Sequence, residues 1–255
     1  MNKIALITGA TSGIGRATAE KLAGNGFDLI ITGRRPERLE ALAGSLGEQG
    51  TKIAPLCFDI RRPEEVKQAV ASLEGNWRNI DVLVNNAGLA VGISPVQDGL
   101  IEDWERMIDT NLKGLLYITR AVAPLMTARR TGHIVNIASI AGKEVYPGGN
   151  VYCATKHAVD ALSKAMRTDL LAHNIRVTNI APGMVETEFS VVRYKGDAEA
   201  AANVYKGLTP LSGEDIADAI LFAVTRPPHV CLNDMVIMPT AQANSRDVKR
   251  EAEKG

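Results

Sequence analysis

The first thing this sequence lacks is a net charge: across 255 residues, 29 Lys and Arg balance 29 Asp and Glu. No global field therefore draws it to nucleic acid or to an anionic membrane. Its densest basic clusters, Arg34-Arg35 and Arg129-Arg130, are only doublets, so neither a nucleic-acid nor a membrane partner is expected. Cysteine is scarce as well. Cys57, Cys153 and Cys231 are far apart and odd in number, which makes neither a disulfide framework nor a zinc site and suits a reducing cytoplasm. His133, His157, His173 and His229 do not cluster with carboxylates at ligand spacing, so no metal is expected. No apolar run approaches the roughly 18 residues of a membrane span. The run Ile4-Ala5-Leu6-Ile7 is cut by Thr8-Gly9, too early for an export signal. A soluble cytoplasmic protein is the expectation. An apolar content of 45% with 23% charged residues excludes disorder for the bulk of the chain.

What is present is an alternation of short apolar runs with amphipathic stretches. Strands are expected at 3–8, 28–32, 52–58, 81–85, 133–138, 175–180 and 235–238. Helices are expected at 13–24, 35–47, 63–73, 151–173 and 213–224, with helical periodicity across 102–129. Nearly all-apolar strands joined by helices imply parallel pairing with both faces covered. Right-handed crossovers then make an α/β, Rossmann-type doubly wound parallel sheet. With no internal repeat and no Gly/Ser linker, residues 1–243 read as one domain, followed by a charged tail at 244–255. Residues 187–211 escape the alternation after a strand end, where a lid belongs. Ligands in such sheets bind beyond the carboxyl ends of the strands.

The first strand runs into Thr8-Gly9-Ala10-Thr11-Ser12-Gly13-Ile14-Gly15. Glycines at 9, 13 and 15 permit a tight turn, a close backbone approach to a pyrophosphate and close helix packing, with the helix N-terminus offering free N–H groups to phosphate. The spacing G-x-x-x-G-x-G is looser than G-x-G-x-x-G, and no Lys-Ser/Thr follows, which excludes a P-loop. A merely tight turn is the plain alternative; dinucleotide binding fits its position better. At the end of the second strand, where an acidic residue would hold the ribose 2′-OH of NAD, the sequence reads Thr32-Gly33-Arg34-Arg35. Cations are unfavourable at a helix start, whereas guanidinium groups suit a 2′-phosphate. NADP is the cofactor expected.

Tyr152 and Lys156, four apart on an expected helix, share a face. A tyrosine with its ordinary pKa of about 10 is a poor base at neutral pH. A nearby ammonium and a cationic nicotinamide would favour the phenolate. Ser139 lies just past the preceding strand, where its hydroxyl could hold a substrate oxygen. Asn111 interrupts a helical stretch; Asn is a mediocre helix former, and a local break with a functional side chain explains it. Cys153 and His157 are off the shared face and are given packing or no role.

Thr8-Gly9-x-x-x-Gly13-x-Gly15, Asn85-Asn86-Ala87-Gly88, Asn111, Ser139, Tyr152-x-x-x-Lys156 and Pro182-Gly183 together resemble the short-chain dehydrogenase/reductase family in its single-domain form, over nearly the whole chain. The resemblance implies a Ser139, Tyr152, Lys156, Asn111 tetrad. Tyr152 would be the general acid/base and Ser139 would steady the carbonyl or alkoxide oxygen. Lys156 would bind the nicotinamide ribose and lower the Tyr152 pKa, and Asn111 would hold a water in a proton relay. It also implies a cofactor held by Gly9, Thr11, Ser12, Gly13, Ile14 and Gly15, by Arg34 and Arg35, and by Asp59 and Ile60 at the adenine. Asn86, Ala87 and Gly88 would lie beside the adenosine ribose, and Pro182, Gly183, Val185 and Thr187 at the nicotinamide. Asp59 has a plainer alternative as a helix cap, and Asn85-Asn86 as turn residues.

Stretches such as Gly33-Arg34-Arg35-Pro36-Glu37-Arg38-Leu39, Asp103-Trp104-Glu105, Gly149-Asn150-Val151-Tyr152 and Thr187-Glu188-Phe189-Ser190 resemble a narrower group, the NADP-dependent 3-hydroxy acid dehydrogenases, acting on serine, allo-threonine and malonic semialdehyde. The last strand reads Met235-Val236-Ile237-Met238-Pro239 and lacks the Val-Asp-Gly-Gly ending common in the wider family. A small hydroxy acid needs a cation for its carboxylate, and the lid segment supplies Arg193 and Lys195, beside Ser139 and Tyr152 as substrate contacts. Either could neutralise that carboxylate; a solvated loop or a subunit contact is the plain alternative for both cations. The resemblance implies a homotetramer through residues 102–129 and 151–173. Two rival readings remain: a ketoreductase for acyl, sugar or steroid substrates, and an NADP-binding regulator without turnover.

Overall fold

The computed structural model describes residues 2–251. Its centre is a seven-stranded sheet in the order β3-β2-β1-β4-β5-β6-β7. The strands are β1 (Lys3–Ile7), β2 (Phe27–Gly33), β3 (Ile53–Cys57), β4 (Ile80–Asn85), β5 (Gly132–Ile137), β6 (Ile175–Pro182) and β7 (Asp234–Ile237). Every pair is parallel, so each connection crosses a face of the sheet. The order reverses between β1 and β4, which opens a crevice at their carboxyl ends.

Side-chain alternation sorts the central strands onto two cores. Ile4 and Leu6 of β1 pack on one face with Val66 and Val70 of α3 (Pro63–Ala71), Ile118 and Val122 of α5 (Leu115–Arg129), and Val159 and Met166 of α6 (Asn150–Asp169). Ala5 and Ile7 pack on the other with Leu22 of α1 (Gly13–Ala23), Leu39 and Leu42 of α2 (Pro36–Gly47), and Ile216 and Ile220 of α9 (Gly213–Val224). Burial at period two on strands and 3.6 on helices is the sequence pattern realised.

Three departures from the sequence reading have physical causes. The helical stretch at 102–129 is α4 (Ile101–Ile108), a π-helical turn (Asp109–Gly114) and then α5. The extra residue in that turn sits where Asn111 was expected to break the helix. The stretch at 151–173 is α6 followed by a tighter 3₁₀ turn (Leu171–His173), stopped at Asn174 with φ +58°, a left-handed conformation that Asn tolerates. The segment at 187–211 holds two short helices, α7 (Glu188–Arg193) and α8 (Ala198–Asn203), each started by a side-chain cap, Thr187 and Asp197.

The charged stretch from 244 folds back. The Lys249 N–H donates to the Ala241 carbonyl and that of Glu251 to Gly207, while the Arg250 guanidinium donates to the carbonyls of Val204 and Lys206. Residues 252–255 of the expected tail lie outside the described residues.

Candidate functional site

A cavity of about 720 Å³ opens along the carboxyl ends of β1, β2, β4, β5 and β6. Its near wall is the turn between β1 and α1. Gly9 and Gly13 adopt φ of +66° and +52°, conformations that an L side chain would strain. A Cβ on Gly15 would collide with the Gly9 carbonyl and the Asn86 amide. Ser12 precedes α1 without a side-chain cap, so the first N–H groups of the helix keep their donors for a ligand. The Thr8 hydroxyl accepts from the N–H groups of Asn86 (2.9 Å) and Ala87 (3.0 Å), and Asn86 Nδ2 donates to the carbonyls of Thr8 and Gly9. The loop at 86–88 is thereby moored to the glycine turn. Asn85 lies inside as the last residue of β4, donating to Thr119 and Asn136, so the plain alternative of a turn residue does not hold for it.

Arg34 and Arg35 stand at the end of β2 on the cavity wall. Arg35 Nη2 donates to Thr11 Oγ1 (3.0 Å) and Ser12 Oγ (3.3 Å). Arg34 faces Asp59 at 3.9 Å, and burial lowers its pKa against that carboxylate's pull. Burial works against the Asp59 charge, but the Arg61 guanidinium, bonded to both carboxylate oxygens, holds its pKa below the usual range. Asp59 does not cap α3, whose N-cap is Arg62, so the plain alternative for Asp59 fails. With Ile60 it lines the cavity. Three glycines that resist a side chain, free helix donors and neighbouring guanidinium groups fit a dinucleotide with a 2′-phosphate.

Toward β5 and β6 the cavity is lined by Ser139, Tyr152 and Lys156. Ser139 lies two residues past β5, its Oγ accepting from the Ala141 N–H (3.1 Å) and donating to the Pro182 carbonyl (3.4 Å). Tyr152 and Lys156 share the buried face of α6, with Lys156 Nζ 5.9 Å from the Tyr152 ring centroid and donating to the Ile137 carbonyl at 2.8 Å. Burial pushes the Tyr152 phenol up, while a hydrogen bond with Ser139 and the Arg193 charge draw it down. Burial lowers Lys156 to about 8, so it remains mostly an ammonium at neutral pH. Asn111 does not line the cavity. From the π turn its Oδ1 accepts from the Leu89 N–H, and its Nδ2 donates to the Leu89 carbonyl and to Thr155. Pro182, Gly183, Val185 and Thr187 close the far wall.

The two lid cations separate. Arg193 enters the cavity, donating to the Tyr146 hydroxyl at 2.7 Å, with its guanidinium 5.6 Å from the Tyr152 ring centroid. Its Nε is buried with no partner among the described residues. Lys195 turns away into an ion pair with Asp103 at 2.7 Å, at a backbone φ of +55°. Two residues past Arg193 and beyond the end of α7, it does not line the cavity, so of the two candidates for the substrate carboxylate only Arg193 does.

Sequence reasoning missed Tyr146 and Phe189. The latter meets the Tyr152 ring edge-on at 5.7 Å, and no spacing rule places either. It also missed Gln242 and Ser245, which reach the cavity from beyond the last strand. Cys153 is buried beside Tyr152 in a small apolar cluster, and the His157 ring bonds the Cys153 carbonyl.

Comparison with known proteins gives a consistent set of likenesses. Residues 3–197 match the family model described as short chain dehydrogenase. The chain is 50% identical over 241 residues to the NADP-dependent 3-hydroxy acid dehydrogenase YdfG of Salmonella typhi, covering 94% of this chain and 96% of that protein. It is 45% identical over 243 residues to serine 3-dehydrogenase of Agrobacterium fabrum, covering 95% and 96%. It superimposes on the closed form of a serine dehydrogenase complexed with NADP+ with a TM-score of 0.91 and 47% identity, covering 97% of this chain and all of that one.

Proposed function

The chain belongs to the short-chain dehydrogenase family, and from that premise we propose how its residues move a hydride between NADP and the β-carbon of a small 3-hydroxy acid. It is an NADP-dependent oxidoreductase of the 3-hydroxy acid and serine dehydrogenase type. Bound NADP supplies the hydride acceptor, or the donor in reverse. The glycine turn, Arg34 and Arg35 hold its phosphates, and Asp59, Ile60 and residues 86–88 flank the adenosine end.

In oxidation, Ser139 Oγ and Tyr152 Oη hold the substrate hydroxyl, and Tyr152 takes its proton as the β-carbon gives up hydride. Lys156 stabilises the phenolate by charge and anchors to the β5 carbonyl, so its position does not depend on the substrate. Asn111 acts through Leu89 and Thr155, fixing the loop and helix on either side of Lys156; a water relay would use its remaining acceptor capacity. With serine the product is a β-carbonyl acid, prone to lose CO2.

The observation that carries the substrate class is Arg193. A guanidinium beside the catalytic tyrosine, with one buried N–H unpaired, is costly unless an anion completes it. The carboxylate of a 3-hydroxy acid, separated from the reacting β-carbon by the α-carbon alone, does so. NADP+ reduction with L-serine, L-allo-threonine, 3-hydroxypropionate and 3-hydroxyisobutyrate tests this, with Tyr152→Phe as control and NAD+ in parallel. Turnover that needs Tyr152 and prefers NADP+ supports the reading. Silence across the panel with NADPH still binding sinks the substrate class and leaves the ketoreductase or the regulator.

Among the described residues, no helix is long and apolar enough to cross a membrane. The cytoplasm is the proposed location. A homotetramer is the proposed assembly, through the faces of α4, α5 and α6, where Leu116 is exposed in the single chain. Light scattering on the purified protein tests it.

A further inference from the structure

The corner that receives the cofactor's 2′-phosphate holds a carboxylate of the chain itself. Arg35 divides its guanidinium between two anchors: Nη2 on the hydroxyls of Thr11 and Ser12, and Nη1 facing Glu188 Oε2 at 3.4 Å. Arg38, in the first turn of α2, donates to Glu188 Oε1 at 2.7 Å. Glu188 begins α7, immediately after the capping Thr187, so this contact ties the first turn of the lid to the β2–α2 corner, 150 residues away in sequence. Arg34 is directed elsewhere, toward Asp59.

The charges make the contact exclusive. Two guanidinium groups share one carboxylate, leaving an excess of positive charge beside the hydroxyls of Thr11 and Ser12. A phosphate seated on Arg35 there brings up to two negative charges next to Glu188, and like charges at such range repel. The phosphate offers three acceptor oxygens to the carboxylate's two and the larger charge, so it is the stronger partner for the arginine pair.

We propose that Glu188 is a built-in competitor for the 2′-phosphate of NADP, and that Arg38, set free by the exchange, is a further phosphate-binding cation. This rests on the NADP assignment above. Binding the phosphate takes Arg35 and Arg38 from the lid, and a cofactor without the phosphate leaves that tie in place. Cofactor choice and the tether at the start of the lid are thus read by the same two arginines.

Calorimetric titration with adenosine 2′,5′-bisphosphate and with AMP isolates this corner, since neither probe carries a nicotinamide. Wild type prefers the bisphosphate. Glu188→Gln tightens the bisphosphate by roughly two- to fivefold, the scale of one exposed charge contact, and leaves AMP unchanged. Arg38→Gln weakens the bisphosphate and leaves AMP unchanged. AMP affinity reports that the site is folded, and Glu188→Ala, made in parallel, behaves as Glu188→Gln. A wild type without preference for the bisphosphate overturns the NADP assignment and this proposal together. A wild type that prefers it, with Glu188→Gln binding it equally or more weakly, overturns this proposal alone.

Discussion

Asn111 and Leu89 are joined in both directions: the Asn111 carboxamide accepts from the Leu89 N–H at 2.8 Å and donates to the Leu89 carbonyl at 2.8 Å. The same Nδ2 donates to Thr155, one residue before Lys156. One buried amide thus sets the spacing between the loop that flanks the cofactor site and the helix that carries Tyr152 and Lys156. The carboxamide offers a carbonyl acceptor and two N–H donors on one short side chain, and Asn111 uses the acceptor once and the donors twice.

Replacing Asn111 with Ala strands the Leu89 N–H and carbonyl, and each unpaired buried group costs roughly 1–3 kcal/mol. The midpoint of urea unfolding should fall accordingly, and kcat should fall about tenfold or more, equivalent to a displacement of the transition state by about 1.4 kcal/mol. Asn111→Asp keeps the acceptor but loses both donor bonds, so it should rescue neither. Wild-type kcat in either variant would remove Asn111 from the positioning role.

Tyr152 should behave as a group held protonated by burial. For oxidation, kcat/KM should rise with pH as the phenol loses its proton. Reduction needs the proton and should fall over the same range. Tyr152→Phe should lower kcat by roughly 10²- to 10⁴-fold, as expected for loss of a general acid/base, while NADPH binding by fluorescence persists. A variant that keeps the wild-type pH slope would place the titrating proton elsewhere.

Arg193 and Lys195 should part in kinetics as they do in space. Arg193→Ala should raise KM for 3-hydroxy acids by roughly 30-fold or more, since removing one partner of a buried, hydrogen-bonded charge pair costs about 2–5 kcal/mol. The same change should move KM for an uncharged alcohol far less. Lys195→Ala removes a half-exposed ion pair worth about 0.2–1 kcal/mol and should shift Tm slightly with little change in KM. Equal effects of Arg193→Ala on both substrate types would take it out of the carboxylate site.

His133 should limit stability in acid. Its ring is buried in β5, with Nε2 on Thr178 Oγ1 and Nδ1 without a partner among the described residues, and burial depresses its pKa to about 3. In the unfolded chain an ordinary histidine takes a proton near pH 6.5, so the unfolded state binds more protons between about 6.5 and 3. The His133 contribution is complete above pH 6.5 and is lost as pH falls toward 3, by at most about 1.4 kcal/mol per pH unit. Unfolding free energy against pH should be flatter over that window in His133→Gln; an unchanged slope would assign the acid sensitivity to other groups.

Much of this is legible in the amino-acid sequence. Ile4 and Leu6 against Ala5 and Ile7 show period two in the sequence and lie on opposite faces of the sheet. Gly9, Gly13 and Gly15 sit where the turn needs them, and Tyr152 and Lys156, four apart, share a face. The poor helix former Asn111 marked the break that the π turn makes. These features depend on backbone period, on the absence of a side chain, or on spacing within one element, and such relations are local.

The alternating layers, the glycine turn after β1 and the shared face of Tyr152 and Lys156 are therefore carried by the residues in order along the chain. Tertiary structure alone decided that Arg193 faces Tyr152 while Lys195 pairs with Asp103, that Tyr146 and Phe189 wall the cavity, and that Glu188 lies across Arg35 and Arg38. Each of those contacts joins segments tens of residues apart through the end of a long or aromatic side chain. Its direction follows from how the lid helix packs against the cavity wall, which no local period or spacing encodes.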